Sequence, residues 1–294
     1  MMSERFESDT GLVWNVQRES IRLGGTRAEK LTCIRIRKLP DDGRFVDEMK
    51  EAHPEVGLID FILDEQGSAE PVVDLSSLGQ LGNLKVISLQ TSNQVLREDP
   101  GPVHKLPIER VISTYVDGVT EHLVRGAELK TLVLEGAPIG ILRKASDALR
   151  MVELNRMQQS NDPSAWDKLS ALDEFSVECS GTVCVFPPAT QWPEIVSFTS
   201  VVSIKDIVKA SQVLPFRFLY LEGIRSFDSG ANFWDLKAHR VTVGFATKPP
   251  KWMVDAWPMR PANWADWLVI PYHPSLPGSE DAIREEFDSA GNSG

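Results

Sequence analysis

A chain of 294 residues exceeds the usual size of a single hydrophobic core, yet 42% hydrophobic and 25% charged residues give it the make-up of an ordinary soluble protein. Thirty-one basic against 42 acidic side chains leave a formal charge of −11, which argues against bare nucleic acid as a partner, because phosphate needs a cationic surface. No stretch approaches the length and purity of a membrane span, so no membrane partner is expected either.

The first residues, MMSERFESDTG, lack the basic start and apolar middle of a secretory signal, and a cytoplasmic location is expected. Residues 1–30 carry short apolar runs at Leu12–Val13–Trp14 and Ile21–Arg22–Leu23, followed by Gly24–Gly25, and read as an N-terminal cap. From Leu31 to Val243 the spacing apolar-x-x-apolar-x-apolar then returns ten times, at intervals of 20 to 27 residues. Clear copies are Leu84/Ile87/Leu89, Leu129/Leu132/Leu134, Leu149/Val152/Leu154, Leu172/Phe175/Val177 and Phe216/Leu219/Leu221. Weaker ones are Leu31/Ile34/Ile36, Leu58/Phe61/Leu63, Ile108/Val111/Ser113, Trp192/Ile195/Ser197 and Ala238/Val241/Val243. Each core is too short for a helix and predicts a short parallel strand, one per turn of a solenoid over residues 31–245.

Segments between the strands carry helical signals. Phe45 and Met49 share a helical face, Asp117 to Leu123 leads helix-like into the fifth strand, and Ser203 to Asp206 is a capping box ahead of Ile207, Val208 and Val213. The expected class is therefore α/β, with a parallel sheet of about ten strands on one side and helices and turns on the other. After residue 245, Trp252, Trp257, Trp264 and Trp267 alternate with prolines, and 246–278 reads as a C-terminal cap or a binding patch. Residues 279–294 read as a polar, largely flexible tail.

The run Leu75-x-x-Leu78-x-x-Leu81-x-x-Leu84-x-x-Ile87-x-Leu89, with Ser92–Asn93 beyond it, resembles the leucine-rich-repeat family. Elsewhere Ala137, Met157 and Ser180 stand where that family places asparagine. The resemblance covers about three quarters of the chain. It implies an arc-shaped scaffold whose concave sheet binds other macromolecules.

Signatures of chemistry are missing. No phosphate-loop, dinucleotide, zinc-protease or nucleophile-elbow pattern occurs. The histidines His53, His104, His122, His239 and His273 form no column that could hold a metal. Cys33, Cys179 and Cys184 are too scattered for a disulfide framework and suit buried free thiols. Asp60 and Asp64, two pleats apart, are the one carboxylate pair that could serve a carbohydrate-cleaving solenoid. No catalytic residue, metal or cofactor is expected.

Alternation sends ladder residues inward and the residues between them outward. In the fifth to ninth copies the outward positions include Glu135; Met151, Glu153 and Asn155; Glu174 and Glu178; Glu194 and Phe198; and Phe218, Tyr220 and Glu222. Six glutamates in fifteen such positions compare with about two expected from 42 acids in 294 residues, so an acidic stripe beside aromatic anchors is expected. Either it meets a basic protein, or Lys130, Arg150, Arg156 and Arg217 at its margins neutralise it. The leading expectation is a non-enzymatic protein-binding scaffold, monomeric when free. A narrower guess, resting on charge alone, is an inhibitor or immunity protein that neutralises a basic toxin. An adaptor using the Trp-rich C-terminus and a carbohydrate-active enzyme are the alternatives.

Overall fold

The computed structural model describes residues 4–23, 28–40, 45–63, 75–89, 106–114, 119–156, 172–178, 192–199, 205–224, 233–245, 251, 255 and 268–269. They form one open sheet in which spatial order equals chain order. The strands are β1 (Glu4–Glu7), β2 (Val13–Arg22), β3 (Ala28–Lys38), β4 (Val56–Phe61), β5 (Val86–Leu89), β6 (Arg110–Thr114) and β7 (Thr131–Glu135). They continue as β8 (Met151–Asn155), β9 (Glu174–Glu178), β10 (Ile195–Thr199), β11 (Phe216–Ile224), β12 (Ala238–Phe245) and β13 (Leu268–Val269). The pairs β1–β2 and β2–β3 are antiparallel, and every later pair is parallel. The fold is α/β, with a large, mostly parallel sheet and few helices.

Parallel neighbours require a crossover, and here each described crossover packs apolar residues against one face of the sheet. Helix α1 (Val46–Ala52) supplies Val46 and Met49, with Phe45 just ahead of it; α2 (Val119–Val124) supplies Leu123 and Val124; α3 (Lys205–Val213) supplies Ile207 and Val208. Between them, 3₁₀ turns at Leu75–Gln80, Ile139–Lys144 and Phe233–Asp235 bring in Leu78, Ile141 and Leu142, with Leu236 just beyond the last. All of these join the inward strand residues in one continuous cluster. Val213, the last residue of α3, is 71% exposed.

The inward positions stack in register. One column runs Ile34, Ile59, Ile87, Val111, Leu132, Val152, Phe175, Val196, Leu219 and Val241. Each of these is at most 2% exposed, and burial of a side chain of this size contributes about 1.5–3 kcal/mol. The backbone leaves β7 through Gly136 and β8 through Arg156, which follow directly the paired residues Glu135 and Asn155 and share left-handed φ values of 70° and 48°. A non-glycine residue there costs about 1–2 kcal/mol, and the Arg156 guanidinium turns back onto Glu135 at 2.9 Å.

At the N-terminal end the cap is part of the sheet. β2 and β3 form a hairpin whose far half extends past its neighbours, since β1 pairs only with Val13–Val16 and β4 only with Thr32–Ile36. Leu31 of this arm lies against Gly57, where an added Cβ would come within 3.0 Å of Leu31 Cδ2 and 3.3 Å of its Cβ. Gly57→Ala is expected to cost about 1 kcal/mol in urea denaturation through overpacking, and Leu31→Ala in the same chain should relieve it.

Of the expected C-terminal cap, Lys251, Asp255 and β13 are described, and β13 pairs with β12. The four tryptophans, the tail, Gly24–Gly25, Ser92–Asn93, Met157, Ser180, Cys179, Cys184, His104, His273 and Ser203 lie outside the described residues. Among those described, no helix is long and apolar enough to cross a membrane.

Candidate functional site

Three outward columns run along the face opposite the helices. The first is Cys33, Leu58, Val86, Arg110, Thr131, Met151, Glu174, Ile195, Phe218 and Arg240. The second is Arg35, Asp60, Ser88, Ile112, Val133, Glu153, Ser176, Ser197, Tyr220 and Thr242. The third contains Thr114, Glu135 and Asn155, and then Glu178, Thr199 and Glu222. Neighbours within a column lie about 4.8 Å apart across strands.

Glu135, Met151, Glu153, Asn155, Glu174, Glu178, Phe218, Tyr220 and Glu222 thus occupy outward positions of one sheet. Phe198 does not. It is 0% exposed and packs edge-on to Phe216 at 6.2 Å, in the inward column with Val177 and Leu221. The eighth repeat is shifted by one residue, to Pro193/Val196/Phe198, and a slip of one exchanges the faces of a whole strand. Burying Phe198 rather than Ser197 decides that register. Glu194 consequently stands ahead of β10, at the margin of the face. The second repeat is shifted by two, to Val56/Ile59/Phe61, which leaves Asp60 outward.

Local cations meet part of the acidic stripe. Arg156 pairs with Glu135 at 2.9 Å, and Arg217 pairs with Glu194 at 3.1 Å while lying 5.6 Å over the Phe218 ring. Lys130 turns instead to Glu109 at 2.7 Å, and Arg150 donates to the carbonyls of Asp147 and Leu149. The centre is different. Glu153 accepts a hydrogen bond from Asn155 at 2.9 Å, and among the described residues no cation comes within ion-pair distance of Glu153 or Glu174. Burial raises the Glu174 carboxyl above its ordinary pKa; Arg22 opposes the rise, Glu153 adds to it and Arg110 opposes it. Burial also lowers the Arg110 pKa, against the pull of Glu153 and Glu174. The side-chain oxygen of Thr131 and Nε of Arg110, adjacent in register, are buried without a partner.

Charge of the opposite sign therefore enters the face from residues that sequence reasoning did not select. Arg22 lies at the end of the β2–β3 arm, and its carbonyl accepts Nη1 of Arg110 at 2.9 Å. Ile21, Leu23 and Leu31 of the arm close over Cys33, Leu58 and Val86, making a second apolar cluster on the outward side. Cys33 is a free, fully buried thiol whose pKa burial pushes up to about 12, so it has no nucleophilic character in place. The alternation of β2 and the Gly24–Gly25 pair hinted at a hairpin, but where its end docks depends on residues as distant as Arg110.

Asp60, the carboxylate weighed for catalysis, is only 4% exposed. Arg35 reaches it at 3.3 Å and Glu19 at 2.8 Å, and Ser88 bonds to it from β5. Burial raises its pKa, which the Ser88 bond and Arg35 oppose, and its Oδ1 stays unpartnered. This is the interior of a polar network, not the lining of a cleft; Asp64 lies outside the described residues. A separate open groove of about 460 Å³ lies between the β1–β2 edge and α1, with Asp9, Glu48, Glu51 and Trp14 among its walls.

No protein-family model and no curated protein matches this chain.

Proposed function

We propose that the chain is a protein-binding scaffold of the leucine-rich-repeat kind that grips a basic protein through the outward face of β7–β11 and performs no catalysis. One strand per repeat, sequential parallel order and helices or turns confined to the opposite side support the solenoid reading. The observation that carries the binding reading is the pair Glu153 and Glu174. They sit on adjacent strands in neighbouring columns, half-buried, and a cation from outside would offset both their repulsion and the desolvation of Glu174. Met151, Phe218 and Tyr220 supply apolar surface beside them, as an anchor within a charged surround requires. Occupancy of a partner, in the manner of an inhibitor or immunity protein acting in the cytoplasm, fits a face that has charge and shape to offer but no reactive group.

Affinity capture at low salt with the wild-type chain and with Glu153→Lys/Glu174→Lys tests this. The expected result is a partner of basic isoelectric point, released by salt and bound at least about tenfold more weakly by the variant. A partner that the two proteins retain equally overturns the assignment of the face.

A further inference from the structure

The far half of the β2–β3 hairpin stands on the outward face as a second layer over β4–β6. Ile21, Leu23 and Leu31 close the apolar cluster with Cys33, Leu58 and Val86, and the Arg22 carbonyl accepts Nη1 of Arg110 at the start of β6. The described contacts of the arm end there, so Glu153 of β8 and Glu174 of β9 lie beside it and not beneath it. The two sides of the arm differ in charge. Its under-side acids are taken by cations of the sheet, Glu19 by Arg35 at 2.8 Å and Glu29 by Lys85 at 2.9 Å. Its outer side consists of Arg18, Ser20 and Arg22 on β2, paired with Thr32, Lys30 and Ala28 on β3. Among these described residues three are cations and none is acidic. Arg18, Arg22 and Lys30 are exposed, and no described carboxylate lies within ion-pair distance of them. Arg18 and Arg22 each stand diagonal to Lys30, about 7–8 Å away, close enough for the three charges to repel. In a chain of net charge −11 this is a basic patch that lacks its counter-charge.

We propose that two copies of the chain dock outward face to outward face about a two-fold axis, the arm of each seated on the β7–β9 carboxylates of the other. The inference rests on the reading of β7–β11 as a face that grips basic groups. It names what holds that face when no other partner is present: a second copy, in place of the free monomer expected from sequence. Shape matches as well as charge. The arm is a layer about 10 Å high that ends where the acidic strands begin, so each copy offers a raised basic step next to a lower acidic tread. A two-fold rotation sets each step on the other's tread, makes the contact twice and closes the assembly at a dimer. A third, basic protein competes for the same glutamates, so its binding and dimer formation oppose each other.

Sedimentation velocity of the full chain reads the association. The wild type should sediment as a dimer at about 20 mM salt and as a monomer at about 500 mM, because the contact joins exposed charges. Arg18→Glu/Arg22→Glu/Lys30→Glu and, separately, Glu153→Lys/Glu174→Lys should each weaken self-association at least tenfold, roughly the effect of reversing a charged patch. The arm variant alters only exposed side chains without ion-pair partners, so its urea midpoint should not move. Mixing the two variants should restore the dimer, since the reversed arm then meets the reversed face and the native arm meets the native face. A misfolded variant gives no such rescue. A wild type that is monomeric at low salt, a dimer that survives arm reversal, or a mixture that stays monomeric while both variants keep the wild-type circular dichroism spectrum overturns the proposal. A monomeric wild type that binds labelled hexaglutamate, and loses it on arm reversal, assigns the arm to a different acidic partner and equally overturns the second copy. Sedimentation needs no third protein, so the dimer and the capture of a basic partner succeed or fail separately.

Discussion

Replacing Phe198 with alanine is expected to destabilise the protein by about 3–5 kcal/mol, the usual cost of emptying a buried aromatic site. Phe198 is 0% exposed, contacts Phe216, and sits between Val177 and Leu221 in the inward column. Ser197, one residue earlier, faces outward opposite Ser176 and Tyr220, and its replacement by alanine should change stability by less than about 0.5 kcal/mol. Urea denaturation of the two variants, followed by far-UV circular dichroism, reads the difference. A large loss from Ser197→Ala with little from Phe198→Ala means that β10 is registered the other way, and Glu194 then belongs in the outward columns.

Arg35→Ala should cost about 3 kcal/mol at pH 7, because it strands Asp60, whose side chain is 6% exposed, as a buried carboxylate. The figure sits at the low end of the range for broken buried pairs since Arg35 itself is 37% exposed and partly solvated. The pH dependence has a definite sign. Burial already holds the Asp60 pKa above its ordinary 3.8, so the native state binds the proton more tightly than the unfolded chain does, and stability falls as pH rises between those two values. Removing Arg35 takes away one of the effects that oppose this rise. The stability difference between Arg35→Ala and wild type should therefore shrink as pH drops through the native pKa of Asp60, where the carboxyl is neutral. Asp60→Asn in the Arg35→Ala background should restore most of the loss at pH 7. A penalty that stays constant from pH 7 to pH 4 refutes a charged Asp60 as its source.

The two experiments probe different levels of organisation. Phe198 tests which side of a strand is core, a question of period and volume. Arg35 tests how the outward side near β3–β5 became interior, a question of what lies over it. Glu19 of β2, Arg35 of β3, Asp60 of β4 and Ser88 of β5 form one polar network, yet each alone has the look of a solvated surface residue.

The repeat was legible where apolar residues fill only one frame. At Leu132 and Leu134, separated by Val133 and flanked by Thr131 and Glu135, alternation leaves a single solution, and both leucines are fully buried. At Trp192-Pro-Glu-Ile-Val-Ser-Phe198 two frames compete, since Ile195 and Val196 are adjacent and equally apolar. Packing of Phe198 against Phe216 breaks that tie, and no local pattern contains Phe216. For the candidate site, the glutamates on β7–β9 and the aromatics of β11 were legible from alternation alone. Among the cations near them, Arg156 and Arg217 were legible at the strand margins, whereas Arg22 was not, because it precedes the repeats and lies at the end of the arm.

What the chain dictates by itself is the stack: hydrophobic period and repeat spacing act over a few residues, and strand and order follow from them, with face wherever a single frame is apolar. Tertiary structure alone decided which outward residues stay at the surface. The arm meets β4, β5 and β6 through contacts between residues far apart in the chain, and its apolar cluster takes in Cys33, Leu58 and Val86 while Glu153 and Glu174 stay facing out. The physical reason is that desolvation depends on whatever covers a side chain, and nothing in a six-residue period encodes the cover.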